Sequence, residues 1–352
     1  MTSVYCREAR LLREELKYIG VKKSLSEINK IHFLAEKKYN RYDQYLPGET
    51  FQHRLIKWLL NFENETERQI AMEIIENLIY FNMNELRALI VATFWNSVIE
   101  IQKEIINRNK TDLQVYLNYK KRKISEALQR SVFISVSDDV MIDYFRRRAQ
   151  RRYPELLSDN FISYYKLHED CQEKDLKFLK EYDRIFLIDQ LCGSGNTFLR
   201  NIDGWTGKIV RFHEIWKKAK IEKIYYMPYI ISTVAENNLN RKLQQWEKEK
   251  SIKTDIRIVP TIRIPVSNCL ISKQNDLIDK DKPVAKLCEK YYKSLGIINP
   301  HIKVGGDATW GFGQAGLTLV LNNNCPNNSI PIIWYNRNKD WFSLFPRIEH
   351  HQ

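Results

Sequence analysis

Residues 184–200, RIFLIDQLCGSGNTFLR, combine residue types that could hold a phosphate. Four apolar residues, Ile185 to Ile188, run into Asp189 and Gln190, and Cys192, Gly193, Ser194, Gly195, Asn196 and Thr197 follow. Glycines let the backbone approach an anion closely, amides at a loop-to-helix junction lack internal partners, and Ser194 and Thr197 add hydroxyl donors. At the carboxyl end of a strand in an open α/β sheet, such a loop lies where ligands bind. The spacing and the lysine of a Walker loop are absent. The alternative is a ligand-free turn from a buried strand into a helix, and Asp189 just before the loop weighs against it.

Other groups have competing readings. FRRRAQRR sets Arg146, Arg147, Arg148, Arg151 and Arg152 in one short helical stretch, and guanidinium forks match phosphate geometry. That stretch is either a solvated helix face, a surface for nucleic acid or an acidic partner, or a source of active-site phosphate contacts. GFGQAG at 311–316 has the letters of a dinucleotide fingerprint, but a strand-like TLVL follows, so no helix end would meet a pyrophosphate. The wider GGDATWGFGQAG reads as a flexible flap near the site, with Asp307 and Trp310 as contacts. Asn322, Asn323, Asn324, Asn327 and Asn328 read as a turn before a base or ribose contact. Trp334, Trp341, Phe342, Leu344 and Phe345 read as packing. His213 and His301 stand alone, His350 and His351 close the chain, and six dispersed cysteines signal neither zinc nor a disulfide framework.

These groups need elements to position them. The chain has 352 residues, 43% of them hydrophobic, and a net charge of +13, which fits a globular protein of one or two domains with a polyanionic partner or ligand. No apolar run reaches the length of a spanning helix, and the charged beginning is unlike a signal peptide, so the expected compartment is the cytoplasm. Up to about residue 130 the pattern is helical: Ile70, Ile74, Ile75, Leu78 and Ile79 recur at helical spacing, as do Leu86, Leu89, Ile90, Phe94, Val98 and Ile101. Asn82 and Asn84 lie between them as turn and cap positions. A helical bundle or a helix-turn-helix variant fits this part, whether it docks a partner or binds DNA; a winged helix would need a hairpin that is not evident. Beyond residue 130, SVFISV, RIFLID, KIYYMPYIIS, DIRIVPTIRI, LTLVL and SIPIIW read as strands, with helical stretches between several of them. The expected architecture is therefore α/β with a parallel sheet over residues 126–352, preceded by a helical domain over 1–125.

The segment from the apolar strand through Asp189 and Gln190 to Gly193-Ser194-Gly195-Asn196-Thr197 resembles the diphosphate-sugar signature of type I phosphoribosyltransferases. The resemblance implies that Asp189 contacts the ribose of phosphoribosyl diphosphate and its magnesium, and that Cys192 through Thr197 hold the 5′-phosphate. It further implies that the loop after the domain's first strand, at Ser137 and Asp138, faces the diphosphate. Gln190 stands where the family has a second acid, and Gly193 where several members have a general base, so purine salvage is not expected. Either the acceptor differs or the domain binds a nucleotide without turnover. Together with FENETERQIAMEIIENLIYF and NNNCPNNSIPIIWYNRNKDWFSLFPR, the signature resembles phosphoribosyltransferase-like proteins of bacterial conflict systems. These occur in antiphage loci, among them retrons that pair a reverse transcriptase and its RNA-linked DNA with an accessory protein. That resemblance implies an effector, a silent subunit of such a complex, or a nucleotide-sensing DNA-binding regulator. The oligomeric state stays open.

Overall fold

The computed structural model describes residues 4–106, 113–164, 177–201, 204–221, 223–265, 279–297 and 308–348. The chain opens with α1 (Val4–Tyr18), α2 (Leu25–Lys37), α3 (Phe51–Leu59), α4 (Glu65–Glu76), β1 (Ile79–Phe81) and α5 (Met83–Ile106). It continues with α6 (Leu113–Gln129), β2 (Ser131–Ser135), α7 (Ile142–Arg152), β3 (Phe161–Ser163), β4 (Arg184–Cys192), β5 (Arg200–Asn201) and β6 (Trp205–Thr206). Then come α8 (Lys208–Ala219), β7 (Lys223–Ser232), α9 (Thr233–Lys250), β8 (Ile256–Ile258) and β9 (Ile262–Ile264). The last elements are α10 (Pro283–Leu295), β10 (Leu319–Leu321) and α11 (Pro331–Trp334). None of the described helices is long and apolar enough to cross a membrane.

Two compact units emerge, one from residues 1–86 and 265–352 and the other from residues 87–264. The sequence pattern placed a single boundary at residue 125 and ran the second domain to the end. The difference arises because the last stretch returns to the first helices: Phe345 packs on Tyr39, Tyr42 and Phe51, and the Trp58 indole donates to Ile332 O at 2.7 Å. Arg54 is buried against the carbonyls of Ser343 and Leu344. A second correction concerns Ile79, expected at the end of a helix. Asn77 ends α4, and Ile79 to Phe81 form a strand parallel to Leu319–Leu321. No hairpin wing accompanies the helices among the described residues of this unit. SIPIIW, expected as a strand, contains α11 instead, because Pro331 has no amide to give a ladder and suits a helix start. As expected, Asn82 caps α5, accepting from Glu85 N at 2.9 Å.

The second unit is a parallel sheet in the order β3-β2-β4-β7-β8, with β9 also on β7. DIRIVPTIRI forms two strands on that one edge because Pro260 has no amide to donate between them. Alternation along β4 serves two layers. Phe186 stacks between Phe133 and Tyr225, and Phe133 meets Phe145 of α7 and Phe94 of α5. Ile185 and Leu187 point the other way, into a core with Phe212 and Trp216 of α8 and Leu239 and Leu243 of α9. Helices thus cover both faces, as the near-continuous apolar strands require.

Phe186 is wholly buried in the aromatic layer. Phe186→Ala should lower the stability of the second unit by about 3–5 kcal/mol, read as a shifted midpoint in urea unfolding followed by far-ultraviolet circular dichroism.

Candidate functional site: the carboxyl end of the central strands

Strand order sets the location. From β2 the chain crosses by α7 to β3 on one side, and from β4 by α8 to β7 on the other. The neighbouring strands β2 and β4 therefore send their following loops in opposite directions, which leaves a crevice at their carboxyl ends. Ser137 follows β2 and Asp189 lies near the end of β4, so both meet at this point.

The half-buried Asp189 carboxylate is held from three strands. Its Oδ1 accepts from Ser137 Oγ at 2.8 Å and from the Gln190 amide at 2.9 Å, and its Oδ2 accepts from the Tyr226 hydroxyl of β7 at 2.8 Å. Burial raises the carboxyl pKa above its ordinary value, and the positive charge of Lys208 and these three donors work against that rise. Lys208 also donates to Val136 O, which ties the start of α8 to the end of β2. Phe198 stacks on the Tyr226 ring with centroids 4.0 Å apart and fixes the phenol in place.

The ladder runs through Cys192, which pairs with Ile231, so the loop proper begins at Gly193. Cys192 is buried beside the Tyr226 hydroxyl, and burial pushes its thiol up to about 12, so it is neither a thiolate nor part of the loop. The element after the loop also departs from expectation. No helix begins at its end; the β5–β6 hairpin intervenes, and α8 starts only at Lys208. Any amides open to an anion here would therefore come from the loop itself. Leu199 N is committed to Gly195 O and Asn196 N to Ser194 Oγ. Among the described residues, the amides of Ser194, Thr197 and Phe198 have no hydrogen-bond acceptor. The Thr197 side chain is exposed.

Helix α9 holds this loop in shape. Ser232 Oγ donates to Gly193 O at 2.8 Å while capping α9 by accepting from Ala235 N. Asn238 donates to Ser194 O at 2.9 Å, and Lys242 Nζ donates to Asn196 Oδ1 at 2.6 Å. Gly195 has φ +78° and an added Cβ would lie 3.3 Å from Ala235 O, so glycine suits both the turn and its close approach to α9. Burial, then the charges of Arg241 and Arg200, lower the Lys242 pKa, which places several cations about the loop.

Asp189, Ser137 and residues 193–197 thus come together, but the Gln190 side chain does not join Asp189. It lies on the opposite face of β4, buried, with its amide donating to Asp139 O at 3.0 Å. Asp138 is exposed. The five arginines lie on α7: Arg146 pairs with Asp143 at 3.1 Å, and Arg147, Arg148, Arg151 and Arg152 are exposed. Trp310, expected in a flap, is buried in the core of the first unit and donates to Ala285 O; Asp307 lies outside the described residues, as do His301, His350, His351, Cys171 and Cys269. Gly311 packs against Asn328 O, a use of the GFGQAG glycines unrelated to phosphate. Asn322 and Asn324 are buried in bonds to Tyr80, Asp43 and Ile348. His213 is buried against Trp216 and Trp246.

Tyr226, Lys208, Ser232, Asn238 and Lys242 were not singled out by sequence pattern. For Ser232 a signal existed, since a serine precedes a helical stretch. Tyr226 and Lys242 carried none, because their roles follow from strand register and from the packing of α9 on the loop.

A family model described as PRTase-CE matches residues 55–347. No curated protein and no solved structure matches the chain.

Two outcomes are expected. Between the ordinary carboxylate pKa of about 4 and the raised native value of Asp189, the folded state binds the extra proton, so this carboxyl's contribution to stability falls as pH rises. The stability of the wild type relative to Asp189→Asn should therefore decline with increasing pH across that window, and parallel melting curves would refute this. Ser232→Ala, which removes a buried cap and the tie to Gly193, should cost about 1–2 kcal/mol in urea unfolding.

Proposed function

The chain belongs to the PRTase-CE family, and from that premise we propose that its phosphoribosyltransferase-like domain binds phosphoribosyl diphosphate, or a nucleotide carrying the same ribose 5-phosphate, in the crevice between β2 and β4. The observation that carries this reading is the loop after β4: three unaccepted amides, at Ser194, Thr197 and Phe198, in a turn braced by α9 with Lys242 beside it. Such a cradle is preorganised for a phosphate monoester. Asp189 then serves the ribose, using the accepting capacity that remains after Ser137, Tyr226 and the Gln190 amide have bonded.

The donor set fits a magnesium ion that arrives on the diphosphate. Among the described residues no three His, Cys, Asp or Glu side chains stand together as a metal site, and a single carboxylate with substrate phosphates is an ordinary environment for this cation. Asp189 would hold it, and when bound it neutralises charge on the departing diphosphate. The reaction is substitution at the anomeric carbon: the bond to the diphosphate oxygen breaks as the bond to an acceptor forms. The loop amides and Lys242 anchor the phosphate, and Asp189 orients the sugar.

A second reading, binding without turnover, is favoured by one observation. The Gln190 side chain is committed through Nε2 to Asp139 O on the far face of the sheet, so it adds no group beside Asp189. On the resemblance of residues 62–81, 184–200 and 322–347 to proteins of bacterial conflict systems, we extend the proposal to an effector of an antiphage system of retron type, partnered by a reverse transcriptase and its RNA-linked DNA.

Calorimetric titration of the full chain tests the ligand. Phosphoribosyl diphosphate with magnesium should bind, ribose 5-phosphate should compete, and Lys242→Met and Asp189→Asn should each weaken binding at least about tenfold, the scale of a charge-assisted contact. Absence of binding, or equal binding by both variants, would sink the proposal. Diphosphate release would identify the transferase reading, and tight binding without release the silent one.

A further inference from the structure

We propose that the outer surface of α5 and α7 binds single-stranded nucleic acid. Two aromatic rings there are overlaid by guanidinium groups. Tyr144 has Arg148 at 4.9 Å and Arg87 at 5.7 Å from its ring centre, and the exposed Trp95 has Arg152 at 5.8 Å. The two helices are locked together beneath by Phe94, which meets Phe145 and Tyr153. Arg87 and Trp95 are eight residues apart on α5, about 12 Å along the axis, so the two ring-and-guanidinium stations are spaced along one continuous face.

Charge on this face is nearly all of one sign. Arg147 and Arg151, one helical turn apart, are exposed, and among the described residues neither has an acidic partner. Asp143 is occupied by Arg146, and Glu155, just beyond α7, accepts from Ser125. Five arginines thus remain for phosphates: Arg87, Arg147, Arg148, Arg151 and Arg152.

The rings identify the partner. A duplex keeps its bases stacked inside and would use the cations alone, and an acidic protein would likewise have no use for flat aromatic surfaces. A single strand uses both, with phosphates on the forks and unstacked bases on the rings and guanidinium planes. Ile99, exposed one turn beyond Trp95, extends the apolar part of the platform. This surface is built by α5 and α7, apart from the loop after β4, and its test stands independently of that loop.

Fluorescence anisotropy of the full chain with labelled oligothymidylate, oligouridylate and a duplex of equal length provides the test. Both single strands should bind more tightly than the duplex, with affinity falling steeply as salt rises from about 50 to 200 mM. The stronger of the two identifies DNA or RNA as the source. Arg147→Glu with Arg151→Glu should weaken binding at least about tenfold. Trp95→Ala should weaken single-strand binding at least about fivefold, and Trp95→Phe, which keeps a ring, should restore most of it. Equal or tighter duplex binding, indifference to Trp95→Ala in a variant with unchanged melting, displacement by polyglutamate as effective as by oligonucleotide, or no binding at low salt would each overturn the proposal.

Discussion

The carboxylate of Asp189 is the constraint around which the second unit is arranged. A desolvated acid at a strand end is unfavourable unless donors surround it. Here they come from Ser137, two residues beyond β2, from the middle of β7 and from the next amide of β4 itself. Satisfying one side chain therefore ties β2, β4 and β7 together. Lys208 adds a fourth tie, since the cation beside Asp189 also bonds the carbonyl of Val136. The crevice at the switch point keeps its width because its two walls are joined at the base.

Alternation along β4 then gives its last polar residues separate tasks. Asp189 faces the layer of α8 and α9, and Gln190 faces α7, where its amide holds Asp139 O while the Tyr229 hydroxyl holds Val140 O. These two bonds anchor the segment that enters α7, which begins after Met141 in a left-handed conformation at φ 55°. A second acid at position 190 could not donate to that carbonyl when ionised. Glutamine thus removes one charge from the strand end and replaces it with a structural bond on the other face.

Much of this was legible in the sequence, and the gaps have definite causes. SVFISV, RIFLID and KIYYMPYIIS announce buried parallel strands because their apolar runs are short and rich in β-branched and aromatic residues, and all three occupy those positions. The residues of the site were legible where chemistry is local: an acid, two glycines and two hydroxyl residues lie together within residues 189–197. Its supports were not, because Tyr226 and Lys242 reach it through register and helix packing. SIPIIW misled because period alone cannot separate a short strand from a single helical turn, and Pro331 decided it. The division into units was hidden for a related reason: no local pattern in residues 308–348 announces that their aromatic side chains complete a core begun near the start of the chain.

The loop after β4 shows how the fold substitutes for a missing helix end. With α8 delayed until Lys208, the following helix cannot present its first amides to an anion at this point. The loop instead turns its carbonyls toward α9, where Ser232 and Asn238 donate to Gly193 O and Ser194 O. Occupying the carbonyls on one side leaves the neighbouring amides to the other, which is the polarity an anion requires. Lys242 reinforces it at Asn196, where its ammonium is partly desolvated. The outward set of the free amides at this strand end therefore derives from α9 bracing the turn from behind, and a substitution that loosens α9 would disturb it even where every residue of the loop is unchanged.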